Sequence, residues 1–110
     1  MQLSHKRLPE QFHDLGKYLD WALPTERERT AKRHSSSMHE IRAFYGAMVE
    51  RLEEILHHLS GFSVENAPDD ANTLLLLTMS LAEVAPAVEN FGQPDVVDGY
   101  QWSRFVPIHE

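Results

Sequence analysis

The chain has 110 residues, 42% of them hydrophobic and 25% charged, with a formal net charge of −7 and no cysteine. That size and mixture describe one globular domain, not two domains or a disordered chain, and the lack of cysteine excludes disulfides, thiolate nucleophiles, iron–sulfur clusters and cysteine-ligated zinc. Residues 1–25 carry three bases and three acids and residues 26–59 six of each, whereas residues 60–110 carry eight acids against the single base Arg104, so the acidic second half disfavours nucleic acid as a partner.

No run approaches the roughly 20 apolar residues of a membrane span, and Met1 to Arg7 lack the apolar segment of a secretory signal. The expectation is a cytoplasmic protein with no membrane partner. From the N-terminus, Pro9 suits a first helical turn, and Phe12, Leu15, Tyr18, Leu19 and Ala22 recur at helical spacing up to Leu23-Pro24. This predicts a first helix over about 9–22. Thr25 with Glu28 then forms a capping box, which starts a second helix near Glu26.

Uninterrupted, residues 26–59 would make a helix about 50 Å long at 1.5 Å per residue. A compact domain of this length is only about 35 Å across. Ser35-Ser36-Ser37 is a weak helical stretch, and Ser37 with Glu40 makes a second capping box. A break there, giving a short helix over about 26–34 and a long one over 38–59, is the more economical reading; one long helix protruding into a partner subunit is the alternative.

Met38, Ile41, Tyr45, Met48, Leu52, Ile55 and Leu59 alternate steps of three and four, a heptad seam suited to antiparallel bundle packing. Gly61 closes that helix. Asp69 and Asp70 then place acid in the first turn of a last helix over about 69–91, where the macrodipole favours it. Its seam is Leu74, Leu77, Leu81, Val84, Val88 and Phe91, and Leu75, Leu76, Met79 and Ala82 widen the apolar surface well beyond one stripe. Pro86 predicts a kink inside it. The tail, 92–110, has no period, yet Val96, Val97, Tyr100, Trp102, Phe105 and Val106 are too apolar for a disordered end. It is expected to lie extended across the bundle or a neighbouring subunit. The fold class is thus all-α: a small antiparallel bundle of three long helices plus one short one, with an extended C-terminal tail.

Three constellations bear on function. Glu54 and His57 form a Glu-x-x-His step of the kind that bundle metal sites use, but there is one step where two are needed, and both residues lie opposite the Leu52–Ile55 seam. A solvated charged face is the favoured reading. The bases Arg27, Arg29, Lys32 and Arg33 are interleaved with Glu26 and Glu28, and a Glu28–Lys32 ion pair on a solvated face accounts for them. Glu83 is an isolated carboxylate on the most apolar helix, so burial would raise its pKa. Two readings compete for it: a structural tie to Arg104, or one wall of a ligand pocket with Tyr45, Tyr100, Trp102 and Arg104. The tie is favoured.

No phosphate loop, nucleophile elbow, calcium loop or dinucleotide fingerprint is present, so no cofactor is expected and an enzyme is the less favoured class. Trp21 to Arg29, Leu81 to Glu89 and Gly99 to Pro107 together resemble a group of small helical proteins, a resemblance that carries no activity or ligand with it. The leading expectation is a homodimeric accessory or protein-interaction module. Its contact residues are Leu75, Leu76, Met79 and Ala82, because so few short helices cannot cover the last one. A ligand-binding protein or enzyme is the runner-up, and a bundle metal protein the third reading.

Overall fold

The computed structural model describes residues 7–90. The elements of those residues are all helical: a 3₁₀ helix Glu10–Trp21, α1 Glu26–Ser35, α2 Met38–Leu59, a short 3₁₀ turn Val64–Asn66 and α3 Asp69–Glu89. Phe91 and the whole of the tail, 92–110, lie outside the described residues.

Both capping boxes form. The Glu28 amide donates to Thr25 Oγ1 at 3.1 Å while the Thr25 amide donates to Glu28 Oε1 at 3.3 Å, and Ser37 and Glu40 make the same exchange at 3.1 and 2.8 Å. Each satisfies amides that the first turn leaves without partners. Between the two helices Ser36 adopts an extended backbone, φ −101° and ψ 152°, so residues 26–59 form two helices and not one.

The first helix differs in kind from the expected α-helix. It winds as a 3₁₀ helix, with non-helical backbone at Phe12 (φ −116°, ψ 20°) and Tyr18 (φ −107°, ψ 16°). Its contacts supply the reason. Phe12 packs edge-on against His58 and Trp21 stacks on Phe44, with ring centroids 5.6 and 4.6 Å apart. Positions 44 and 58 of α2 are about 21 Å apart. An α-helix from residue 12 to 21 would cover only about 13.5 Å, and 3₁₀ winding, at about 2.0 Å per residue, covers about 18 Å.

α2 and α3 pair antiparallel: the Tyr45 hydroxyl meets Glu89 at one end, while Leu59 and Ala71 share a depression at the other. Ile41, Phe44, Met48 and Ile55 from α2 and Leu74, Leu77 and Val84 from α3 are fully buried in one core with Phe12 and Leu15. Each such side chain withdrawn from water stabilises the fold by roughly 1.5–3 kcal/mol before its ordering entropy. Ser80, also fully buried, donates its hydroxyl to the Trp21 carbonyl at 2.6 Å, so its polar group is satisfied.

α3 continues helically through Pro86 to Glu89. By length and composition it is apolar enough to cross a membrane, which the sequence reading did not recognise, although 56% of its most apolar window is buried within the fold itself.

Candidate functional site

The α2–α3 hairpin has two faces, and the N-terminal third of the described chain covers one of them. On α2, Arg51 Nη1 donates to both carboxylate oxygens of Asp14, its Nη2 donates to the Gln11 carbonyl at 2.8 Å, and its guanidinium lies 4.8 Å from the Phe12 ring centre. The Arg51 bond holds the Asp14 carboxyl below the usual carboxylate range. On α3 the matching contact is the one from Ser80 to Trp21.

The opposite face carries the exposed greasy residues. At about 100° per residue, Val49 and Leu56 lie about 160° around α2 from Arg51 and His58, and Leu75 and Ala82 lie about 140–160° around α3 from Ser80. Among the described residues the large apolar side chains left exposed are Val49 (44%), Leu56 (51%), Phe62 (37%), Leu75 (36%) and Met79 (41%). Four of them stand on this open face or its α1 shoulder, and Phe62 closes its end. There Leu59, Phe62, Ala71 and Leu75 line a depression of about 170 Å³. Exposed apolar residues scattered singly are ordinary, but a contiguous set marks a contact surface.

Of the expected contact residues, Leu75 and Met79 are exposed and Ala82 is half-buried beside them, whereas Leu76 is packed partly against the core. Val49 and Leu56 were missed. They sit off the heptad seam and read singly as tolerated surface positions; their seven-residue spacing, two helical turns on one face, was the available signal.

Glu83 is tied, but not as expected. Its Oε2 accepts from Arg33 Nε at 2.8 Å and from Thr30 Oγ1 at 3.1 Å, with the Arg33 and Glu83 side chains only 10% and 17% exposed. Arg104, the expected partner, lies outside the described residues, as do Tyr100 and Trp102. The basic run of α1 is accordingly not all solvated face: Arg29 is buried too, donating to the Leu23 carbonyl at 2.8 Å. The expected Glu28–Lys32 pair gives way to Lys32 with Asp20 at 2.9 Å, since Glu28 caps its own helix.

Among the described residues, Glu83 and Tyr45 do not line a common depression. Tyr45 donates to Glu89 Oε2 at 2.7 Å, and Glu89 lies about 120° around α3 from Glu83. Burial first, and the neighbouring Glu89 carboxylate second, push the Tyr45 hydroxyl up to about 12. Among the described residues, Glu83 lines a shallow depression of about 260 Å³ with Glu26, Arg29, Met79 and Ala82.

Glu54 and His57 both face outward, and Glu54 Oε1 accepts from Arg51 Nε at 2.7 Å. Among the described residues no three of His, Asp and Glu are grouped so as to hold a metal ion. Compared with family models, with curated proteins and with solved structures, the chain matches none.

Proposed function

We propose that the protein is a small helical homodimer acting as an accessory, protein-interaction module, and that the open face of the α2–α3 hairpin is its contact surface. One observation carries this reading: the exposed large apolar side chains gather on the side of the hairpin that the 3₁₀ segment leaves uncovered, or at its closed end. Two hairpins meeting open face to open face about a two-fold axis would complete a four-helix core, the arrangement in which such stripes are normally hidden.

A ligand-binding or enzymatic role has less behind it. Glu83 is held by Arg33 and Thr30, and Tyr45 by Glu89. Among the described residues, the two line no common depression.

Sedimentation equilibrium tests the proposal. The full chain is expected to reach dimer mass at tens of micromolar, and Leu56→Glu or Leu75→Glu to return it to monomer with an unchanged far-ultraviolet circular dichroism spectrum. A monomer mass at every concentration would rule the homodimer out.

A further inference from the structure

α2 carries a second seam. His39, Arg42, Gly46, Val49, Glu53 and Leu56 recur at steps of three and four, each one residue past a member of the core seam. At about 100° per residue they lie about 140–240° around α2 from Arg51, on the open side of the hairpin. A heptad stripe of this kind is built to pack against another helix, yet all six residues are exposed.

Gly46 is the least expected member. Inside a helix glycine costs stability relative to alanine, because it surrenders more backbone freedom. Nothing in the described fold requires it, since a Cβ built there would meet no atom within 4 Å. What glycine does supply is a notch where a second helix can come close. Arg42 and Glu53 raise a similar question: they are exposed charges of opposite sign about 16 Å apart on one stripe, and neither is in an ion pair among the described residues.

The stripe is its own complement. Reversed about a two-fold axis between Ala47 and Met48, it sets Arg42 against Glu53, Gly46 against Val49 and His39 against Leu56, so every member meets another. These pairs are the facing layers of an antiparallel coiled coil. Sliding the helices by a heptad one way sets Val49 against Glu53 and Arg42 against Ser60. Sliding them the other way sets Arg42 against Gly46 and carries Glu53 past the start of α2. A parallel pair would face Arg42 with arginine and Glu53 with glutamate, which like charges disfavour.

From the exposed stripe, the notch and the charge match we infer that α2 packs antiparallel against α2 of a second copy, with Val49 seated at the partner's Gly46 and Arg42 paired with the partner's Glu53. The inference rests on the homodimer reading and adds to it the register and the residues that select it.

Sedimentation equilibrium of the full chain tests the register. Arg42→Glu alone and Glu53→Arg alone each place two like-charge pairs in the seam, and each is expected to weaken self-association at least fivefold. An equimolar mixture of the two variants should associate within threefold of the natural chain, because in the heterodimer both contacts again join opposite charges. Both variants stay net acidic, so general attraction between them cannot imitate this rescue. Gly46→Gln should weaken association at least tenfold, yet raise the melting temperature of the dilute monomer by about 2–8 °C, since glutamine favours helix and its Cβ has room.

A mixture that associates no better than its components, or association that none of these substitutions weakens, would overturn the register while leaving a homodimer of other geometry. A lowered melting temperature for Gly46→Gln would show that the fold itself needs the glycine and would overturn the notch. A monomer mass for the natural chain at every concentration would remove the homodimer reading and the register with it.

Discussion

Replacing Glu83 by alanine removes a carboxylate that joins α1 to α3. Its Oε2 accepts two hydrogen bonds, from Arg33 Nε at 2.8 Å and Thr30 Oγ1 at 3.1 Å. An exposed ion pair contributes about 0–1 kcal/mol, and breaking a fully buried one costs about 3–5 kcal/mol. With side chains 10% and 17% exposed, this pair lies nearer the buried limit, and a hydrogen bond to a charged group contributes about 1.5–3 kcal/mol. The expected loss for Glu83→Ala is therefore about 2–3 kcal/mol, read as a lower urea midpoint at unchanged slope. At about 4–8 °C per kcal/mol for a domain of this size, the melting temperature falls by about 10 °C or more. A double-mutant cycle with Arg33→Met isolates the pair: the double variant should lose at least about 1 kcal/mol less than the sum of the two single losses. A Glu83→Ala loss below about 0.5 kcal/mol, the range of unremarkable surface changes, or an additive cycle, would refute the assignment of Glu83 as a tie.

Two further outcomes follow from the covered face and the core. Asp14 has its carboxyl pKa lowered below 3.8, chiefly by the Arg51 bond; a carboxylate depressed in the folded state stabilises it above the unfolded pKa and loses that contribution as pH falls through the folded one. Urea unfolding should thus show Asp14→Asn less stable than the natural chain near neutrality, by no more than about 1 kcal/mol because Asp14 is largely exposed, with the difference vanishing toward pH 2; a pH-independent difference would argue against the ion pair. Phe44→Ala removes a fully buried ring that stacks on Trp21 and meets Tyr18 edge-on, so a loss of about 3–5 kcal/mol is expected. Trp21 fluorescence should report the same transition, and a retained midpoint would show that the 3₁₀ segment does not pack there.

Much of the helical layout was legible because its signals are local. A capping box needs only residues three apart, so Thr25–Glu28 and Ser37–Glu40 announced both helix starts and the break between them. The seams of α2 and α3 followed from spacing alone. What the sequence hid depends on partners far along the chain. Whether residues 10–21 wind as α or 3₁₀ is decided by the span between Phe44 and His58, which no local pattern encodes. Arg29 and Arg33 look like solvent-facing charges on a very polar helix, and only the approach of α3 buries them. Glu83 stands out in the sequence as an isolated carboxylate, but its partner Arg33 lies 50 positions upstream, whereas the sequence pointed downstream to Arg104. The surplus apolar surface of α3 was visible; that Val49 and Leu56 extend it onto α2 required knowing which side the 3₁₀ segment covers.

Among the hydrogen bonds of the described residues, those that close the N-terminal third are also the most distant in sequence: Trp21 to Ser80 spans 59 positions and Arg33 to Glu83 spans 50. A ribosome adding about 5–20 residues per second therefore finishes Trp21 roughly 3–12 s before the Ser80 hydroxyl that donates to its carbonyl exists. For that interval the segment over residues 10–21 has no α3 to close upon, and its burial waits for the α2–α3 hairpin. Phe12, Leu15 and Trp21 are buried in the completed fold together with residues of α3, so the first helix of the described residues depends on the last of them for its cover.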